Sequence, residues 1–318
     1  MEALYTQLKF ELERFNVTDK EIESIFIGGG TPSTIEPNLY KKIFNLLEPY
    51  LISDIEITTE ANPNSATKDW LRGMYRLGVN RISFGVQSFD KEKLKLLNRA
   101  HTDVQAKEAV INAKELGFKN ISLDLIYASL GDTKDLLKND LETALSLPIN
   151  HLSAYALTIE EGTPFESKPH MSKETISLTS WLFDEINSFG FKQYEISNFG
   201  SYRSVHNLGY WEYKDYIGVG SGAVGKLDLQ RYYPTTVLED YIKNPLEIKT
   251  ELLSLEDKKM EKILLGLRSC VGVEKKILNK SELRKVELLV EEKKLIYKND
   301  TFYNPDYLLA DEIALFIS

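Results

Sequence analysis

Five stretches of the chain place polar, ligand-capable residues after, between or inside short apolar runs. Gly28-Gly29-Gly30-Thr31-Pro32 follows Ser24-Ile25-Phe26-Ile27. Three glycines let a backbone approach a ligand closely and expose its N–H groups. The run fits neither GxxxxGK[ST] nor GxGxxG, and a plain tight turn is the competing reading. Glu60-Ala61-Asn62-Pro63 closes the next run. A carboxylate there can accept hydrogen bonds from an amine or from ribose hydroxyls, or it can be an exposed cap. Gln87 follows Ile82–Val86, and its amide both donates and accepts. Arg99, in Arg99-Ala100-His101, can pair with a ligand carboxylate or lie on the surface. Asp124 interrupts the apolar Ile121–Ile126. A carboxylate in such a run is costly unless partnered, which favours a functional role. A sixth stretch, Ser204-Val205-His206-Asn207-Leu208-Gly209-Tyr210-Trp211, sets a histidine among aromatic residues. It suits a flat aromatic ligand or a haem iron, or a histidine tied into a loop.

The elements that must position these groups alternate. Strands are predicted at 22–27, 54–59, 81–86, 120–126, 151–157 and 193–197. Amphipathic helices are predicted at 38–51, 67–77, 104–116, 133–147 and 173–189. Gly78, Gly117 and Gly190 stand where helix C-caps belong. The β-α order predicts a parallel sheet with right-handed crossovers. An open doubly wound sheet and a β/α barrel both satisfy it. The series opens on a helix, 3–15, with no strand before it. In a β/α barrel each helix follows its strand, so either this helix is an N-terminal decoration or a strand is missing upstream. From about Leu255 the rhythm becomes helix (255–269), helix (281–292), hairpin (295–303, turning at Asn299-Asp300) and helix (307–317), a small winged-helix-like unit.

Composition narrows the function. The 318 residues are 42% hydrophobic, enough for a large domain with or without a small one. A formal net charge of −9 and no basic stripe argue against nucleic acid as partner, and give the C-terminal unit a docking role. The N-terminus has neither the apolar region nor the cleavage site of a signal peptide, and no apolar run is long enough to span a bilayer. A cytoplasmic protein is expected. Cys270, the single cysteine, excludes an intramolecular disulfide or an all-cysteine metal site within one chain.

In their order, Gly28-Gly-Gly-Thr-Pro32, Glu60-Ala-Asn-Pro63, Gly85-Val-Gln-Ser-Phe89, Asn98-Arg-Ala-His101, Ser122-Leu-Asp-Leu-Ile-Tyr127 and His206-Asn-Leu-Gly-Tyr-Trp211 resemble the radical-SAM family of oxygen-independent coproporphyrinogen III oxidases and the haem chaperone HemW. The last two segments look more like the chaperone branch. The resemblance covers essentially the whole chain. It implies a partial (β/α)6 barrel over 1–200 lacking its first strand, a connecting segment over 201–254 and a small C-terminal domain over 255–318. It implies that Gly28, Gly29 and Gly30 line the methionine end of S-adenosylmethionine, that Glu60, Gln87, Arg99 and Asp124 hold the rest, and that Ala156 lies near the adenine. His206 becomes the haem contact, and haem-accepting respiratory proteins the implied partners. The family's [4Fe–4S] loop, CxxxCxxC, would precede the first helix, where this sequence begins. Radical chemistry is therefore not expected of the chain as written, and a start at an internal methionine of a longer frame is the favoured explanation. Two alternatives stand beside this reading: a cluster-free haem-delivery protein, and an unrelated β/α-barrel enzyme using Glu60 and Asp124 as acid and base.

Overall fold

The computed structural model describes residues 1–159 and 165–318. Six strands form one sheet in the order β1 (Ile22–Ile27), β2 (Leu51–Ala61), β3 (Arg81–Gln87), β4 (Asn120–Tyr127), β5 (His151–Ala156) and β6 (Asn198–Gly200). Strands β2 to β5 pair in parallel. The helices are α1 (Glu2–Arg14), α2 (Lys41–Leu47), α3 (Lys68–Arg76), α4 (Lys91–Leu96), α5 (Asp103–Leu116), α6 (Lys134–Ser146) and α7 (Ile176–Ser188). The sheet curls into a partial β/α barrel, which decides between the two architectures the sequence left open.

Side-chain alternation explains the barrel. Ile82, Phe84 and Val86 on β3, Leu123 and Leu125 on β4, and Leu152 and Ala154 on β5 are all buried. They alternate with Arg81, Ser83 and Gln87, with Ser122 and Asp124, and with His151, Ser153 and Tyr155. Successive side chains of a strand point to opposite faces. One face is thus apolar, and α5 packs on it at β3 and β4; the other is polar and lines the lumen. The helices start where side-chain caps satisfy their first N–H groups. Thr67, Thr102, Thr133 and Thr175 each accept from a first-turn amide of α3, α5, α6 and α7. Gly117 ends α5 in the left-handed region at φ 103°, as its C-cap position predicts.

Two expectations need correction. The sixth strand is not 193–197 but Asn198–Gly200, and it runs antiparallel to β5. The segment doubles back: Tyr194 N–H donates to Asn198 O at 3.1 Å, and Gly200 N–H to Lys192 O at 3.0 Å. The alternating Gln193-Tyr-Glu-Ile-Ser197 reads as a strand, yet it forms the turn into one. The second correction is the segment around His206, which is a helix, α8 (Val205–Trp211), capped by Ser204 Oγ accepting from Asn207 N–H at 3.3 Å.

Two compact units emerge: Ser24–Asn38 with Glu56–Arg203, and Met1–Glu23 with Leu39–Ile55 and Ser204–Ser318. The first carries the barrel lumen. The second contains a three-stranded antiparallel sheet that the sequence did not announce: β7 (Gly225–Leu227), β8 (Gln230–Pro234) and β9 (Ile248–Leu252), with α9 (Leu238–Lys243) between the last two. Gln7 is fully buried there, accepting from Gly220 N–H at 2.9 Å and from Tyr241 OH at 2.7 Å. The C-terminal winged-helix-like fold follows as expected: α10 (Leu255–Leu267), β10 (Val273–Glu274), α11 (Lys280–Glu291), β11 (Ile296–Lys298), β12 (Thr301–Tyr303) and α12 (Ala310–Ile317). Asn299 and Asp300 both have positive φ (51° and 55°), the conformation a two-residue hairpin turn requires. Ile263, Leu267, Val286, Phe302 and Ile317 form its core.

Candidate functional site

The polar lumen face is built in two layers. Nearer the N-terminal ends of the strands, His151 is fully buried. Its Nδ1 lies 2.7 Å from Ser122 Oγ and 3.4 Å from Arg81 Nη2, and its Nε2 lies 2.7 Å from Tyr194 OH. Arg81 also reaches Thr58 Oγ1 at 3.4 Å. Burial, and then the Arg81 charge, push the His151 pKa well below its ordinary value. The ring is therefore neutral. Nδ1 accepts from the guanidinium, which can only donate, and Nε2–H is left to donate to the tyrosine.

The second layer, toward the C-terminal ends, holds the residues singled out from the sequence. Glu60 on β2 is half-buried, and its Oε2 accepts from Gly29 N–H at 3.3 Å. Ser83 Oγ donates to both Asp124 oxygens, at 3.1 and 3.3 Å. Burial raises the pKa of both carboxyls. The charge of Asp124 raises Glu60 further, while hydrogen bonds from Ser153 and Ser83 and the charge of Arg81 partly offset the rise at Asp124. Neither carboxylate is ion-paired with any described residue.

The glycine loop is held against this pair. Asn62 N–H donates to Ser33 Oγ at 3.0 Å and Asn62 Nδ2 to Thr31 Oγ1 at 3.4 Å. Trp70 Nε1 donates to Ile35 O at 2.9 Å. A Cβ on Gly28 would meet the Phe26 ring at 2.5 Å and Glu60 Oε2 at 3.1 Å, so a side chain there would overlap the ring and crowd the carboxylate. Gly29 and Gly30 are left-handed (φ 75° and 57°), with nothing within 4 Å of a Cβ built on either. Their outer face is open to a ligand.

Gln87 ends β3 at φ 67°, beyond a register shift in the β3–β4 pairing. Its amide folds back over Gly85: a Cβ there would lie 3.0 Å from Gln87 Nε2 and 3.6 Å from Asn62 Oδ1. The structure thus gathers Gly28, Gly29, Glu60 and Asp124, with Gln87 beside Asn62. Arg99 lies in the turn after α4; it is exposed and makes no ion pair with a described residue. Its neighbour His101 is buried, kept neutral by burial, and donates from Nε2 to Val86 O at 2.9 Å. Ala156 closes β5 opposite Tyr127. His206, on α8 in the other unit, packs edge-on against Tyr210 at 4.9 Å, and Tyr210 against Tyr216 at 4.7 Å.

Further groups face this layer without having been singled out as site residues. Ser83 and Ser153 hold Asp124. Burial first, and Asp124 second, push the Tyr155 phenol far above its ordinary pKa. Glu195 is 1% exposed, its pKa is raised by burial to about 7, and its Oε1 has no donor among the described residues. The serines and Tyr155 were signalled by their i, i+2 spacing from recognised positions. Glu195 was masked by a segment that reads as strand.

Comparisons with known proteins agree with this architecture. Residues 6–144 match the radical SAM superfamily. The haem chaperone HemW of Lactococcus lactis is 33% identical over 287 residues, spanning 86% of this chain and 75% of that protein. HemW of Bacillus subtilis is 34% identical over 273 residues, spanning 80% and 72%. HemW of Escherichia coli is 40% identical over 216 residues, spanning 65% and 57%. The solved coproporphyrinogen III oxidase HemN of Escherichia coli superposes with a TM-score of 0.81 over 99% of this chain and 82% of that one; at 17% identity it shows a shared fold. With identities of a third or more sustained across three quarters of a relative's length, the chain belongs to the HemW-type haem chaperone family of radical-SAM proteins.

Proposed function

We propose that the chain is a haem-handling protein that binds S-adenosylmethionine in the barrel lumen and haem through His206. One observation carries the cofactor half: Glu60 and Asp124 share a layer, burial destabilises both as anions, Asp124 adds to the penalty at Glu60, and neither is ion-paired with a described residue. A ligand that brings a sulfonium and an ammonium supplies what they lack. In this reading Gly28, Gly29 and Gly30 present their backbone to the methionine end. Gln87 and Asp124 take the ribose side, Arg99 the carboxylate and Ala156 the adenine.

The cluster is a different matter. Cys270 is the chain's one cysteine, and no group of three or more His, Cys, Asp or Glu among the described residues has the arrangement to hold a metal. The residues of this chain do not fit a three-thiolate [4Fe–4S] site.

The haem half rests on the relatives' name as haem chaperones and on the aromatic series His206, Tyr210 and Tyr216, an imidazole flanked by flat rings. Acceptance by a respiratory haem protein, a docking role for the unit over 255–318 and action in the cytoplasm belong to the same proposal. No helix among the described residues is long and apolar enough to cross a membrane. Titration with haem, followed at the Soret band, tests the reading. His206→Ala should abolish the shift while leaving S-adenosylmethionine binding intact. A Soret shift that survives His206→Ala removes this residue from the haem site.

A further inference from the structure

The loops after β3 and β4 meet at one buried amine. Lys93, in the first turn of α4, is 4% exposed. Its Nζ lies 2.9 Å from Asp132 Oδ1 and 3.8 Å from Asp140 Oδ2, and both carboxylates are themselves almost wholly buried. Each carboxylate grips a different loop. Asp140, on α6, accepts from Ser88 Oγ and from Phe89 N–H, both at 2.7 Å. Asp132 accepts from Ser129 N–H at 2.9 Å. Both loops carry a left-handed residue with a side chain: Gln87 at φ 67° and Ala128 at φ 60°. Such conformations persist only where the surroundings enforce them.

Neither carboxylate, nor Lys93, belongs to the lumen face, and nothing in the cofactor reading uses them. Yet one ammonium faces both carboxylates at once. We infer that Lys93 is a positioning residue: it locks the post-β3 turn bearing Gln87 and the post-β4 loop into one unit, and so sets the affinity of the cofactor site without touching the cofactor. The inference rests on the reading of Gln87 as a cofactor-binding residue. The clamp can be judged without any ligand.

The test uses the full chain and three variants: Lys93→Met, Asp132→Leu and Lys93→Met/Asp132→Leu. Lys93→Met alone strands two buried carboxylates and is expected to lower Tm; the double variant removes one of those charges and keeps the protein folded for measurement. Amide hydrogen exchange is read at Phe89 and Ser129 in the ligand-free protein, with Leu123 and Leu152 in the core strands as references. Both loop amides should exchange at least about ten-fold faster in the double variant, with the references unchanged. Asp132→Leu leaves no acceptor at that position, so it should free Ser129 and leave Phe89 protected, a selectivity that a general loss of stability does not produce. The Kd for S-adenosylmethionine should rise about ten-fold in the double variant. Unchanged exchange at both loop amides overturns the clamp. Faster exchange with unchanged Kd overturns the control of affinity. A wild-type chain that binds no S-adenosylmethionine overturns the cofactor reading and the affinity claim together, while the exchange rates still decide the clamp.

Discussion

Replacing Glu60 by glutamine separates a ligand-binding carboxylate from a structural one, because the two roles predict opposite signs. In the unliganded protein Glu60 is destabilised as an anion by burial and by Asp124, and gains back only the Gly29 N–H bond at 3.3 Å. An amide of nearly the same shape keeps an acceptor for that N–H and removes one of two repelling charges. Unfolding stability should hold, or rise by up to about 1 kcal/mol. Binding of a sulfonium and ammonium ligand loses a charge-assisted contact worth about 1.5–3 kcal/mol, which is about 10- to 150-fold in Kd. A pH signature follows. A cationic ligand prefers the ionised carboxyl, so wild-type affinity should strengthen as pH climbs through the raised pKa of Glu60 and then level off; Glu60→Gln should lose that part of the rise. Isothermal titration with S-adenosylmethionine across pH, paired with urea unfolding of both proteins, measures both quantities. If Glu60→Gln unfolds more easily by over about 1 kcal/mol and binds with unchanged Kd, the carboxylate serves only to hold the glycine loop, and the argument from unpaired charge fails.

Three other outcomes are expected. Glu195 has a folded pKa near 7 against an ordinary 4.5, so the folded protein keeps this proton longer than the unfolded chain, and its contribution to stability falls as pH rises between those values and is flat above. Glu195→Gln should match wild type below pH 4.5 and exceed it at pH 8 by up to about 3 kcal/mol; equal urea midpoints at pH 8 would contradict the burial argument. Leu123→Ala, at a fully buried position of β4, should cost about 2–5 kcal/mol, read as a lowered urea midpoint with unchanged m. Thr102→Ala removes the capping box of α5 and should cost about 1 kcal/mol; a smaller loss than at the exposed control Ile111→Ala would show that the cap contributes nothing.

Much of the barrel was legible because its signals are local. Glycine is required where Gly28 approaches Phe26 and Glu60, and a carboxylate inside an apolar strand announces itself, as Asp124 did. A further signal was present and undervalued. A parallel sheet covered by helices on both faces reads as continuous apolar runs. Here Arg81, Ser83 and Gln87, Ser122 and Asp124, and His151, Ser153 and Tyr155 recur at every second position. That period argues for a polar lumen, and so for a barrel over a doubly wound sheet, before any coordinate is known. Other features are not local. Lys93 sits between Lys91 and Lys95 and reads as part of a solvated face; Asp132 and Asp140, some forty residues on, are what bury it. Likewise Gln193–Ser197 has strand-like alternation, but the bonds Tyr194 N–H to Asn198 O and Gly200 N–H to Lys192 O turn it back on itself.

The two lumen layers show why the function sits at one end of the barrel. Both contain charged or titratable groups buried from water, which is costly unless they are partnered. In the lower layer His151 meets that demand within the chain: both ring nitrogens are bonded and the ring is neutral, while Arg81 beside it has Thr58 and the imidazole as acceptors and an Nε without a hydrogen-bond partner among the described residues. In the upper layer Glu60 and Asp124 meet it only in part, through serine hydroxyls and one backbone N–H, and no described cation pairs with them. A ligand that brings positive charge would relieve that deficit. The unmet charge at the C-terminal strand ends, beside a glycine loop whose outer face is open, is therefore the strongest physical reason to seek the ligand there and to treat the well-bonded histidine below it as scaffold.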